Sequence, residues 1–281
     1  MWSLLEFFPK DFRIGILDVG AALLERPPYQ SLLDAGRCLV YGFEPDMEAC
    51  AELELDYGEP HRIFPYFAGN GEAATFHETN WGPTGSLFEP NTALLEKFQS
   101  LAEVMTPKHQ HFVMTTRIDD IEEIGDIDFI KIDVQGAEID VLSHARRALS
   151  SALVLQTEVA FVELYKGQPL FADVDRLVRQ AGFQFHTFEG FGSRTFKPIV
   201  FQGDPSRGIR QDLWADATYV RDWMHLDALD PVKLRNYAVL AHDVVRSFDL
   251  VHFVLAALDR RTGSALAPRY VERLAEDPPQ P

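Results

Sequence analysis

Three stretches of the 281-residue chain carry acids where a backbone turn could present them to a ligand. The first, Ile14-Gly15-Ile16-Leu17-Asp18-Val19-Gly20-Ala21, is an apolar run that ends in Asp-x-Gly. Glycine there permits a sharp turn and lets a ligand come close to the backbone. The second, Gly42-Phe43-Glu44-Pro45, puts an acid 26 positions after Asp18, at the end of the next strand candidate. A Rossmann-like sheet holds the acceptor for a ribose diol at that tip, and a carboxylate can accept from both hydroxyls. The third runs from Asp128 through Lys131-Ile132-Asp133-Val134-Gln135-Gly136 to Glu138: a buried-strand pattern ends at Asp133 and Gly136 turns the chain into a helix. Glu158, near the end of the following strand, adds another carboxylate. Acids at the C-terminal edge of a parallel sheet point into the ligand crevice.

The nucleotide type can be narrowed. A dinucleotide site uses G-x-G-x-x-G, but Gly20 is followed by Ala21, Ala22, Leu23, Leu24 and Glu25, with no second glycine and an acid of the wrong sign for phosphate. S-adenosylmethionine has no phosphate, so this turn favours a methyl donor over NAD. Methyl transfer to an alcohol needs alignment and a group to take the hydroxyl proton. Asp133 is the first candidate for that base, with Glu158 as an orienting or metal-binding partner. Three carboxylates at that edge could hold magnesium through oxygen ligands, which leaves a metal requirement open. The alternative reading of Asp133 and Glu138 is that they only cap or start the helix.

These residues need a scaffold of strands and helices in alternation. Strands are predicted at 14–19, 38–43, 62–67, 129–134, 153–159 and 183–188, with short extra strands at 72–79 and 111–116 and a final one at 213–220. One apolar stripe predicts a helix over 91–105; another predicts 172–181, with Gly182 just past its end. From Pro231 to Arg260 the pattern is helical and strongly apolar, with Leu234, Ala238, Ala241, Val245, Phe248 and Leu255 facing inward. That stretch is expected to pack on the domain or on a second subunit, which leaves a homo-oligomer open. Residues 1–230 are therefore assigned to one α/β domain and 231–281 to a helical appendage with a fraying Pro-rich tail.

The net charge of -17 and the pI near 4.9 argue against nucleic acid or an anionic membrane as partner. No apolar run approaches the roughly 18 residues of a membrane span. The N-terminus lacks the basic start of a signal peptide, and Cys38 and Cys50 read as buried reduced thiols, so a cytoplasmic protein is expected. The histidines show no metal-ligand spacing.

Taken together, Leu17 to Ala21, Gly42 to Pro45, Thr116-Arg117-Ile118-Asp119-Asp120 and Asp128 to Glu138 resemble the FkbM-type family of S-adenosylmethionine-dependent methyltransferases. A branch of that family also resembles Ser86 to Asn91 and Glu158 to Phe171. The resemblance covers about 14–188. It implies a mostly parallel seven-stranded sheet with helices on both faces and an antiparallel last strand. It also implies O-methylation of a sugar or another small hydroxyl-bearing acceptor. The expected cofactor shell is Asp18, Gly20, Ala21, Glu44, Pro45 and Ala68, with Asp133 and Glu158 catalytic. Many relatives continue Gly-Ala-Asn-x-Gly where this chain has Ala22 and Leu23, a change that bears on cofactor geometry. A catalytically silent binding or assembly protein and an NAD-dependent oxidoreductase are the alternatives.

Overall fold

A computed structural model describes residues 2–21 and 26–278. Ala22, Leu23 and Glu25 of the turn, and the last three positions of the Pro-rich end, lie outside the described residues.

The chain alternates as the apolar runs predict. Strand β1 (Ile14–Val19), helix α1 (Gln30–Asp34), β2 (Cys38–Phe43), α2 (Met47–Tyr57) and β3 (Arg62–Phe64) form the first half of the sheet. A small sheet follows, made of β4 (Phe67–Ala68), β5 (Ala73–Thr79) and β6 (Pro107–Thr116), with the short helices α3 (Thr92–Leu95) and α4 (Leu101–Val104) between β5 and β6. The second half is β7 (Phe129–Ile132), α5 (Glu138–Ser143), α6 (Arg146–Ser151), β8 (Val154–Ala160), α7 (Phe171–Gln180), β9 (Phe183–Ser193) and β10 (Asp212–Arg221). Helices α8 (Pro231–Asp243), α9 (Phe248–Thr262) and α10 (Leu266–Glu276) close the chain.

The main sheet has seven strands in the order β3-β2-β1-β7-β8-β10-β9. Neighbours from β3 to β8 are parallel, and β10 runs antiparallel to both β8 and β9. This is the sheet expected from the resemblance. Both faces are covered. On one, Ile14, Ile16, Val40, Phe129, Val154 and Val220 pack with α8, α9 and α10. On the other, Leu17, Val19, Ile130, Ile132 and Leu155 pack with α5, α6 and α7. The apolar C-terminal stretch thus completes the core: Leu234, Ala238, Ala241 and Leu255 are fully buried, and Val245 and Phe248 are packed against them.

Several boundaries differ from the sequence reading. The predicted strand 62–67 is split. Pro65, which has no N–H to donate, separates β3 in the main sheet from β4 in the small one. The predicted helix 91–105 is two single turns, because the chain between them pairs elsewhere. Gln99 N donates to Thr195 O, Lys197 N donates to Lys97 O, and Ser100 takes φ 62°. β7 stops at Ile132, two residues early, since Gln135 and Gly136 are both left-handed, with φ 54° and 104°. Asp119, in a short 3-10 turn at Ile118–Asp120, accepts from the Arg146 and Arg147 amides at the start of α6. Both cysteines are buried thiols, and burial pushes Cys38 up to about 12.

Candidate active site

β1, β7 and β8 are parallel, so their C-terminal ends open on one edge. Register decides which side chains meet there. Asp18 lies beside Lys131, Lys131 beside Gln156, and Glu158 beside Asp216 of the antiparallel β10. Side chains alternate between faces along a strand, so Lys131 and Asp133 share a face.

Asp18 is buried and satisfied within the protein. Its Oδ2 accepts from the Tyr29 hydroxyl at 2.5 Å, and its Oδ1 accepts from Lys131 Nζ at 3.3 Å. Burial pushes the Asp18 carboxyl up against the pull of Lys131. Burial also works against the charge of Lys131, but Asp18, Asp133 and Asp216 outweigh it and hold the amine above its usual value. Both carboxylate oxygens are thus engaged within the protein, one on Tyr29 just ahead of α1 and one on Lys131.

Gly20 has φ 82°, and a Cβ there would lie 2.0 Å from the Asp133 carbonyl oxygen. What this glycine admits is the neighbouring strand's backbone. The Gly20 and Ala21 amides both donate to Phe43 O at 3.0 Å, and Asp133 N donates to Val19 O at 2.9 Å. These bonds draw Asp18, Gly20, Ala21, Glu44 and Asp133 to one edge. Glu44 directly follows Phe43 and is buried; its Oε1 accepts from Asp46 N at 2.8 Å. Burial raises its carboxyl, with partial relief from that amide. Pro45 is half-buried ahead of α2, whose N-cap is Asp46. Ala21 packs with Cys50, Leu53 and Ile63. Ala68 is buried in β4, paired with Thr116.

Beyond β7 the carboxylates crowd. Asp133 caps no helix: its Oδ1 accepts from Gln135 Nε2 at 2.7 Å, and the N-cap of α5 is Ala137. Glu138 is buried at the start of α5, and its Oε1 accepts from Val134 N at 3.3 Å and Gly136 N at 3.0 Å. Burial, with a contribution from Asp133, pushes it up to about 7. Burial and then the charges of Asp133, Glu138 and Asp216 raise Glu158 well above the usual range, while a Gln135 hydrogen bond opposes them. Asp133 and Glu158, named from separate motifs, are thus brought together. Among the described residues no three His, Cys, Asp or Glu side chains form a group that could hold a metal ion, so these carboxylates interact electrostatically without forming a cation cage.

The sequence reading missed four members of this edge. Lys131 carried a signal, a lone charge two positions before Asp133 in an apolar strand. Asp216, Gln135 and Tyr165 carried none, because their roles depend on strand pairing and on a left-handed turn. Of the discounted histidines, His242 is buried between Trp2 O and the Tyr270 hydroxyl, a packing role.

The chain matches the family model described as the methyltransferase FkbM domain over residues 18–185. It is similar to the 2-O-methyltransferase NoeI of Sinorhizobium fredii, with 32% identity over 156 residues, 49% of this chain and 60% of that protein. It therefore spans less than two thirds of that relative's length. Among solved structures it overlaps precorrin-6y C5,15-methyltransferase from Geobacter metallireducens, with a TM-score of 0.35, 8% identity and coverage of 75% of this chain and 81% of that one. A SAM-dependent methyltransferase from Aquifex aeolicus gives 0.29, 11% identity and coverage of 76% and 87%. Those overlaps are partial, and the fold rests on the strand order itself. The family match spans the Asp18 turn, Glu44, the Asp133 block and Glu158, and on it the chain belongs to the FkbM methyltransferase domain family.

Proposed function

We propose that this chain transfers a methyl group from S-adenosylmethionine to a hydroxyl oxygen of a small, saccharide-like acceptor. The observation that carries the reading is the buried Glu44 carboxylate at the tip of β2, beside the Gly20 turn, in a chain of this family. The residues present fit that cofactor. A buried carboxylate raised by desolvation gains from added donors, and a ribose diol supplies two. Gly20, Ala21, Pro45 and Ala68 would frame the nucleoside, and Asp18 would support the frame through Lys131.

When bound, S-adenosylmethionine supplies an electrophilic methyl on a sulfonium. The chain's part is position and proton transfer. Asp133 would take the proton that the acceptor hydroxyl gives up as it is methylated. Glu158 orients the acceptor by hydrogen bonding. A hydroxyl acceptor is supported by the relative NoeI, a 2-O-methyltransferase by name. The net charge of -17 supports a small-molecule acceptor over nucleic acid. We place the activity in the cytoplasm and in residues 1–230; among the described residues no helix is long and apolar enough to cross a membrane.

A methyl-transfer screen with labelled S-adenosylmethionine over saccharides and hydroxylated metabolites, with and without magnesium, tests the proposal. Label on a saccharide hydroxyl is expected. Label confined to nucleic acid or protein, or no transfer to any acceptor, would count against it.

A further inference from the structure

Gln135 occupies a place that its residue type does not explain. Among the described residues it is one of four non-glycine residues with positive φ, and it precedes Gly136, which is left-handed as well. Glycine would adopt that conformation without steric cost, so a glutamine there points to a use for the side chain.

Its contacts show the use. Nε2 donates to Asp133 Oδ1 at 2.7 Å, and a Gln135 hydrogen bond also reaches Glu158. Oε1 accepts from the Tyr165 hydroxyl at 3.0 Å, and that same hydroxyl lies 2.9 Å from Thr84 O. A primary amide has two N–H donors on one side and an acceptor on the other, so a single side chain can serve two carboxylates and a phenol. The backbone is pinned as well. Gln135 O accepts from the buried Ser86 Oγ at 2.5 Å, and Ser86 Oγ accepts from Phe88 N. Gln168 Oε1 accepts from Tyr165 N, and a Cβ on Gly136 would come within 3.4 Å of Gln168. Three segments, 84–88, 135–136 and 165–168, are thereby joined around one amide.

We propose that Gln135 is the positioning residue of this edge, its amide clamping Asp133, Glu158 and Tyr165 into the one arrangement that presents the carboxylate pair to the acceptor. The proposal rests on the methyltransferase reading for the identity of the acceptor, and on geometry alone for the clamp. The charged and titratable groups around Glu158 are Asp133 after β7, Glu138 on α5, Asp216 on β10 and Tyr165, while Lys131 in β7 acts on Asp18, Asp133 and Asp216. Among these, the Gln135 amide supplies neutral donors that hold two acids side by side.

Two variants test it. Gln135→Gly removes the amide and relaxes the backbone; Gln135→Glu keeps the length and an acceptor for Tyr165 but offers no donor. The readouts are the titration of the Glu158 carboxyl by carbon-13 NMR, the melting temperature, and the affinity for S-adenosylmethionine by calorimetry. Both variants should raise the Glu158 midpoint by about one unit or more. Affinity should stay within about threefold of wild type, and Gln135→Gly should melt at or above the wild-type temperature. Once an acceptor is in hand, kcat should fall further than KM rises. A Glu158 titration in Gln135→Gly that matches wild type would overturn the clamp, as would a lower melting temperature with no change in titration. Wild-type protein that fails to bind S-adenosylmethionine would overturn the function on which the acceptor role rests, while the titration still decides the clamp.

Discussion

Strand β7 is flanked by an acid at each end, Asp128 buried and Asp133 half-buried, and the two are treated in opposite ways. Asp128, at the start, accepts from Gly15 N at 3.1 Å, Lys233 Nζ at 2.7 Å and Asn236 Nδ2 at 2.9 Å. Burial raises its carboxyl, but the Lys233 charge and these bonds all oppose the rise. Lys233 and Asn236 both belong to α8, so this acid fastens the C-terminal helices to the sheet. Asp133, five residues on, has the acids Glu138 and Glu158 among its near charges, and the nearby cation, Lys131, is already paired with Asp18. A buried charge surrounded by donors is structural. Acids set beside one another at the open edge of a sheet are where a functional site is expected. The same strand thus has a structural pin at one end and, in the proposed reading, a reactive acid at the other.

Substituting both acids sharpens that contrast. Asp133→Asn keeps size and removes charge, so turnover should fall about 10²–10⁴-fold, the usual cost of losing a general base. Its stability should be unchanged or higher, because one charge leaves a crowd of acids. Asp128→Ala should do the reverse. It removes the acceptor of Gly15 N, Asn236 Nδ2 and Lys233 Nζ and leaves the half-buried Lys233 with Asp126 as its remaining acid. A loss of about 1.5–3 kcal/mol in chemical denaturation is expected, with S-adenosylmethionine affinity preserved in the protein that remains folded. Near-wild-type turnover in Asp133→Asn, or wild-type stability in Asp128→Ala, would break the comparison at that end.

A smaller effect concerns pH. Glu138 ordinarily titrates at 4.5 and is pushed up to about 7 by burial. The folded state then holds the proton more tightly than the unfolded chain. The resulting stability is complete below about 4.5 and is lost as pH rises through about 7. The melting temperature should therefore be higher at pH 5 than at pH 8. Asp243, raised by burial to about 6, acts in the same direction. Glu138→Gln should flatten the difference by a few kcal/mol at most; an unchanged slope would remove Glu138 from the account.

The sequence made the frame of this edge legible and left its wiring hidden. Apolar strands ending in Asp18, Glu44 and Asp133 could be read because strand ends coincide with acids and glycines. Glu158 joined them because it ends the next strand. The roles inside the edge depend on register, which a single strand does not record: Asp18 faces Lys131 and Tyr29, and Glu158 faces Asp216. Helix 91–105 was misread because Phe98 and Lys97 pair with the 195–197 segment, a long-range contact that overrides an apolar stripe. The fate of 231–260 was open between domain and subunit. Its helices bury Val154, Phe129 and Val220, a sheet face that could not otherwise be dry.

In the proposed reading this edge binds S-adenosylmethionine through Glu44. Isothermal calorimetry on the wild-type protein and Glu44→Ala tests it most directly. One saturable site is expected in wild type, with affinity weakened at least about tenfold in the variant and the ligand-free melting temperature unchanged. No binding to wild type, or equal affinity in the two proteins, would contradict it.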